Sequence, residues 1–297
     1  LIIDDDAMIA PDYVEKLIIY AKKHPSVCGL AGKVVTEGHI DTSHRRRITN
    51  RLLYVEGNVA EEEYKQESFS CDAATFCGLL VQGEKMRAVG LPEKEYFLWY
   101  DDIEYCLRLM DAGGITVVPD AVLQHKTVLS KEGMVAKGVL HRIGWRQYYG
   151  YRNRYDTAKR HLGKLSATVI LWQYRVFWLL SFFMTWKKET REQGKQNMQI
   201  LRDVIQDAKA GKLGKKIIAV VVTYNRIALL KECVHALLHQ KDCTDTQLDI
   251  LLVDNASDDG TKEWIDEQIA HTKSHDTTPI YALHLSENTG GAGGFYH

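Results

Sequence analysis

Three adjacent carboxylates, Asp4-Asp5-Asp6, are the sharpest chemical feature of the chain. Such a run repels itself unless a cation is present. In an extended backbone Asp4 and Asp6 point to the same side, so both can face one divalent ion. Hard oxygen ligands at an open site suit Mg²⁺ or Mn²⁺ bridging to phosphate oxygens. The same residues also fit a solvated acidic turn ahead of Pro11. A second acidic group, Asp101-Asp102-Ile103-Glu104, opens a predicted helix marked by Ile103, Leu107 and Met110. Acidic residues in a first turn satisfy free N–H groups and the helix dipole. The alternative is a general base with neighbouring carboxylates that orient a hydroxyl acceptor. Tyr96-Phe97-Leu98-Trp99-Tyr100, just before it, offers an aromatic surface for a sugar ring. His125 follows an apolar run and could complete a metal site or serve structurally. The glycine run Gly290-Gly291-Ala292-Gly293-Gly294 permits close backbone approach to a ligand. It has neither the ending of a P-loop nor the spacing of a dinucleotide fold.

These residues need a scaffold, and the pattern predicts an α/β one. With 297 residues and 45% apolar content there is ample chain for a core. Lys+Arg 38 against Asp+Glu 39 leaves a net charge of −1, which excludes the basic footprint of a nucleic-acid binder. Six cysteines without a CxxC pair read as reduced, mostly buried thiols of a cytosolic protein. Residues 1–3, 27–35, 115–118 and 121–123 read as strands, whereas 36–68 is polar and reads as a long functional loop or a disordered stretch. Ile217 to Val222, Ile250 to Val253 and Ile280 to Leu285 alternate with two helices, the pattern of a doubly wound sheet. Ligands on such sheets sit beyond the carboxyl ends of the strands. Thr223-Tyr224-Asn225-Arg226, Asp254-Asn255-Ala256-Ser257-Asp258-Asp259-Gly260 and Glu287-Asn288-Thr289-Gly290 follow those three strands, and Asp4-Asp5-Asp6 follows residues 1–3 in the same way.

Taken together, the motifs resemble family 2, GT-A-fold glycosyltransferases. The carriers are the Thr-Tyr-Asn-Arg and Asp-Asn-Ala-Ser motifs. The glycine run after Asn288, the triple Asp and Trp99-Tyr100-Asp101-Asp102-Ile103-Glu104 narrow the resemblance to the galactofuranosyltransferase-like branch. Related rhamnosyltransferases share most of the pattern. The resemblance implies that Thr223, Asn225, Arg226, Asp254, Asn255, Asn288, Gly291, Asp4 and Asp5 bind a UDP-sugar. It implies Asp4, Asp6 and His125 as ligands of Mn²⁺ or Mg²⁺, and Asp102 as the base. Asp101 and Glu104 then grip the acceptor, with Trp99 and Tyr100 beside it. Inverting transfer of galactofuranose from UDP-galactofuranose to a surface-glycan or polyprenyl-linked acceptor is the implied reaction, with dTDP-rhamnose as the rival donor.

The order of the motifs departs from that family, because the nucleotide motifs come last. Residues 1–127 read as the metal- and acceptor-binding half, 128–212 as a helical, aromatic-rich region, and 213–297 as the nucleotide-binding half. A circular permutant, a piece of a tandem protein and a re-ordering of an ordinary chain all fit this order. A catalytically incomplete fragment or glycan-binding module is the non-enzymatic alternative. Residues 166–186 hold Trp172, Trp178, Phe182, Phe183 and Trp186 around Arg175. A mid-segment Arg is costly in a spanning helix. The segment therefore reads first as an interfacial or partner-contact helix, consistent with a cytoplasmic protein at the inner face of a membrane or a homo-oligomer.

Overall fold

Contacts divide the chain into two units, Leu1–Gly211 and Lys212–His297. The computed structural model describes residues 1–126, 143–240, 246–274 and 278–290. The first unit opens with β1 (Ala7–Ile9), α1 (Tyr13–Lys23), β2 (Gly29–Thr36), β3 (His39–Ile40), β4 (Arg45–Asn50) and β5 (Val55–Asn58). It continues through β6 (Phe69–Cys71), β7 (Ala73–Ala74), β8 (Leu79–Val81), α2 (Gly83–Val89), α3 (Asp101–Asp111) and β9 (Ile115–His125). β9 is the spine of the main sheet: it pairs with β2 in parallel and with β1 and β6 antiparallel. The sheet is thus mixed. Ile115, Val117 and Leu123 on β9 are buried in its core. The two short strands expected here are one strand that runs through Pro119. Its partner's register slips between Gly32 and Lys33, and the irregularity accommodates a proline that has no N–H to give. Gly32 has to be glycine, since a Cβ there would lie 2.2 Å from the Ala121 carbonyl oxygen.

Two expectations fail in this unit. Residues 1–3 are not a strand beyond a single antiparallel bridge from Ile2 to Leu79, and Asp4-Asp5-Asp6 sits in the turn before β1. Residues 36–68 are not a loop, because β4 pairs with β5 and β7 in a second, antiparallel sheet. Charge hid this from the sequence. Arg45 is fully buried, its guanidinium donating to the carbonyls of Gly32 (2.9 Å) and Cys77 (3.2 Å), while Arg47 pairs with Glu63. A buried arginine is tolerated when carbonyls satisfy its donors.

Three helices complete the unit: α4 (Trp145–His161), α5 (Lys164–Met184) and α6 (Arg191–Ala210). Tyr148, Ile170, Tyr174, Leu201 and Val204 form their shared core, which Tyr54 joins from the polar stretch. Gly194 lets α6 approach α5, since a Cβ would stand 2.7 Å from the Ser181 carbonyl oxygen. The aromatic segment is indeed a helix, α5.

The second unit is simpler. β10 (Lys215–Thr223), α7 (Ile227–Leu238), β11 (Thr246–Asp254), α8 (Thr261–Ser274) and β12 (Ile280–His284) alternate as expected. The three strands are parallel in the order β10, β11, β12, with Val222 opposite Val253 and Val253 opposite Leu283. Leu230, Val234, Ile250, Leu252, Ile265 and Ile280 form the core. Ile3 belongs to the first unit. The α/β class therefore holds in both units. Cys28, Cys71, Cys77 and Cys106 are buried free thiols and Cys233 is an exposed one. Cys243 lies outside the described residues.

Candidate functional site

In the second unit the polar motifs occupy the carboxyl ends of the parallel strands, and side chains stitch the loops together. Asn255, 2% exposed, donates to Asn288 Oδ1 (2.9 Å) and the Gly290 carbonyl (3.1 Å), and accepts from the Thr289 N–H (2.9 Å). Asp254, equally buried, accepts from the Ser257 N–H at 3.0 Å and faces His284 Nδ1 at 3.2 Å. Asn225 has a positive φ of 47°, a conformation asparagine tolerates better than most residues, and its Oδ1 accepts from the Asp258 N–H (2.9 Å). Asp259 Oδ2 takes the Ile227 N–H at the start of α7 (3.0 Å).

Asp254 and Asn255 therefore build the cradle through interior bonds, while the exposed Asn225 ties its loop to the Asp258 backbone at the surface. Asn255 also lines the cavity that these loops enclose. That cavity, of about 440 Å³, is lined further by Thr223, Tyr224, Arg226, Asn288 and Gly290 over the apolar floor of Leu230. Arg226 is exposed and has no ion-pair partner among the described residues. Such an edge presents one guanidinium, side-chain amides and bare backbone, the groups that grip phosphate and a base. Gly291 lies outside the described residues.

In the first unit the acidic motifs converge. Burial raises the Asp4 carboxyl above its usual range, and the charges of Asp6 and Asp101 push it further the same way. The triple Asp and the Asp101 motif therefore share one electrostatic neighbourhood. Asp6 Oδ1 lies 3.4 Å from His125 Nε2. His44 packs edge-on against His125 with ring centroids 4.8 Å apart. The ligand atoms of Asp41, His44 and His125 lie within 4.8 Å of one another. Burial first, then the Arg45 charge, lowers His44 to about 4, so its ring is neutral at physiological pH and able to ligate. His44 Nδ1 meets Thr75 Oγ1 at 2.7 Å, leaving Nε2 on the side of the cluster.

Asp102 sits in the first turn of α3. The residue before the helix is Tyr100, in the left-handed region at φ 70°, so Asp102 is not the cap. Its Oδ1 accepts the Ile103 N–H at 2.7 Å. Burial raises Asp102 to about 7, and the neighbouring Asp101 adds to the rise. A carboxyl that titrates near neutrality is tuned for general base work. Trp99, 44% exposed, stands beside it.

Glu104 has a different task from the one expected. It is 1% exposed, accepts from Arg108 Nε (3.0 Å), and lies 3.0 Å from His161 Nε2. Burial alone would raise it, but these partners outweigh that and hold its carboxyl low. A carboxylate so enclosed ties α3 to α4 and has no free edge for an acceptor. Asp41, His44 and the Arg46–Glu56 pair (3.2 Å), whose charges act on Asp102, were missed in the sequence because they lie in the stretch read as a loop. Two histidines within reach of an acidic turn were the available signal.

Comparison with known proteins locates the second unit's motifs in a family. Residues 218–297 match the model of Glycosyl transferase family 2. This segment is similar to family 2 glycosyltransferases. Its fold is accordingly GT-A-like, an α/β sheet flanked by helices. The dTDP-rhamnosyl transferase RfbF of Shigella flexneri is 26% identical over 157 residues, 51% of this chain and 50% of that protein. The chain thus spans about half the length of the curated relative it matches. Among solved structures, GalNAc-T7 with UDP, GalNAc and Mn²⁺ aligns at TM-score 0.38 and 11% identity, covering 69% of this chain and 39% of that one. Neither relative carries a galactofuranosyl name, so the comparisons reach the family and not that branch.

Proposed function

We propose that the chain carries an inverting glycosyltransferase activity that uses a nucleoside diphosphate sugar. Asp102 is the observation that carries this reading: a carboxyl raised to about 7, in the neighbourhood of the acidic turn and next to an exposed indole. In the reaction Asp102 takes the proton of an acceptor hydroxyl. The freed oxygen attacks the anomeric carbon while the bond to the diphosphate breaks, and attack opposite the leaving group inverts that centre. Arg226 and Asn288 bind the diphosphate nucleotide over the cavity of the second unit. Trp99 and Tyr100 receive the acceptor sugar, and Asp101 orients it.

A divalent metal fits the first unit. Asp6, Asp41, His44 and His125 offer a mixed oxygen and nitrogen donor set around a neutral His44, and Asp4 stands in a repulsive cluster that a cation relieves. Mixed imidazole and carboxylate ligands favour Mn²⁺ over Mg²⁺. Those residues would hold the ion, which would supply positive charge to offset the negative charge of a departing phosphate group.

The motif resemblance favours galactofuranose from UDP-galactofuranose as the donated sugar. The likeness to a rhamnosyl transferase supports a second reading, dTDP-rhamnose. A glycan or polyprenyl-linked acceptor suits both. Helix α5 supports work at the inner face of a membrane. It is long and apolar enough to span one, with 33% of its most apolar window buried, and Trp172, Phe183 and nearby Trp186 are exposed. A donor screen with Mn²⁺, following release of the nucleoside diphosphate, tests the activity. Turnover of neither sugar with any hydroxyl acceptor overturns it, and turnover of one names the donor. Co-sedimentation with anionic vesicles tests the membrane contact, and failure to sediment returns α5 to an ordinary packed helix.

A further inference from the structure

The chain reaches Asp101 and Asp102 through an unusual backbone. Phe97, Trp99 and Tyr100 have φ of 57°, 61° and 70°. Bulky side chains rarely occupy the left-handed region, and three of them in four residues persist only where the surroundings hold them. Asn153, in the middle of α4, is fully buried. Its side-chain nitrogen lies 2.8 Å from the Tyr96 carbonyl oxygen, 3.0 Å from that of Leu98 and 2.8 Å from that of Trp99. Two amide hydrogens are thus shared among three carbonyls of the strained segment. Asn153 Oδ1 in turn accepts from Arg152 Nε (3.1 Å) and Nη2 (3.0 Å). Arg152, also fully buried, donates to the Glu95 carbonyl and lies over the Tyr148 and Tyr149 rings.

Gly150 stands three residues before Asn153 on the same helix face. A Cβ there would come within 2.6 Å of Trp99 Cε3, so the indole rests against bare helix backbone. The two contacts act on one segment from one helix. Tyr100, the residue before α3, makes no side-chain cap bond. The direction of the first turn of α3 is therefore set by the segment that Asn153 holds.

We propose that Asn153 is a positioning residue of the acceptor side, holding residues 96–100 so that Trp99 meets the acceptor and Asp102 meets its hydroxyl, with Gly150 seating the indole. This rests on the glycosyltransferase reading above. The side chain is suited to it, since a neutral amide presents two donors to the carbonyls and one acceptor to Arg152. Aspartate of the same size would turn a charge on three carbonyl oxygens.

Asn153→Ala is the test, with Gly150→Ala beside it. Hydrogen exchange needs no activity: Asn153→Ala should speed exchange in residues 96–104 while β9 and α6 stay protected. In transfer assays kcat should fall about 10²-fold, the cost of misplacing reacting groups by about an ångström, with donor KM unchanged. The acid limb of its pH–rate profile should move to lower pH as water reaches Asp102, which a purely structural role would not produce. Gly150→Ala should improve the helix and yet slow transfer. Unchanged exchange at 96–104 in Asn153→Ala overturns the proposal, as does transfer by both variants within about threefold of wild type. If Asn153→Ala does not fold, Gly150→Ala alone decides, and wild-type transfer by it is the overturning result. If wild type transfers neither donor, the glycosyltransferase reading falls and exchange alone judges the clamp.

Discussion

The two units solve site construction in opposite ways. In the second, each functional loop follows its own strand, so strand, loop and helix are contiguous in sequence, and the loops are joined by side chains such as Asn255 and Asp254. In the first, Asp6, Asp41 with His44, Asp102 and His125 come from four separated segments that meet only when pairing between strands distant in sequence is complete. Local βα units announce themselves in sequence because hydrophobic runs and polar motifs alternate at short range. Non-local pairing does not, since its register depends on partners far along the chain. The difference predicts separable damage: variants of the second unit should change nucleotide affinity, and variants of the first should change metal affinity or rate.

The largest separation should come from Asp102→Asn. An amide cannot take the acceptor's proton, and general base catalysis contributes roughly 10²–10⁴-fold. Transfer should fall by that factor, with nucleotide affinity in calorimetry as in wild type. Arg226→Ala should act on the other side of the comparison. Losing a charge-assisted hydrogen bond of about 1.5–3 kcal/mol weakens nucleoside diphosphate binding roughly 10- to 150-fold, and Mn²⁺ binding measured alone should not move. Asp6→Ala should do the reverse. Removing the carboxylate beside His125 should weaken Mn²⁺ binding about 10- to 100-fold, seen by titration with the paramagnetic ion, with nucleotide affinity measured without metal left intact.

How far the sequence could be read follows the same line. Every element of the second unit was legible, from the β-branched run of β10 to the strand-end motifs. The roles within it were less so, because burial decides them: Asp254 looks like a ligand-binding residue until its interior bonds are counted, whereas Asn255 both ties the loops together and lines the cavity. In the first unit α3 and the acidic groups were legible, and β4 and β5 were not. Three consecutive arginines mask their alternation, and only the fold turns Arg45 inward to the carbonyls of Gly32 and Cys77. Glu104 was legible as a member of its motif and not as the buried partner of Arg108 and His161, since those contacts are one helical turn and 57 residues away.

The smallest expected effect concerns stability, and it sets Asp102 apart from every acidic group that holds the fold together. Its folded-state carboxyl titrates at about 7, above the unfolded value near 3.8. The native state therefore binds more protons than the unfolded one between those pH values, and stability falls as pH rises through the window. The full shift would cost about 4 kcal/mol, but the side chain is not sealed from solvent, so screening reduces this to about 1–2 kcal/mol. Glu104 has the opposite sign, since its lowered carboxyl adds stability that is present above the unfolded value and lost as pH falls through the folded one. Asp102→Asn should remove the first term alone. Urea unfolding at pH 8 should find the variant more stable than wild type by about 1–2 kcal/mol, and at about pH 3, below both carboxyl values, the two should nearly coincide. A gain that is the same at both pH values would mean that Asp102 carries no stored electrostatic cost, and the residue that loses most activity would then not be the one that strains the fold.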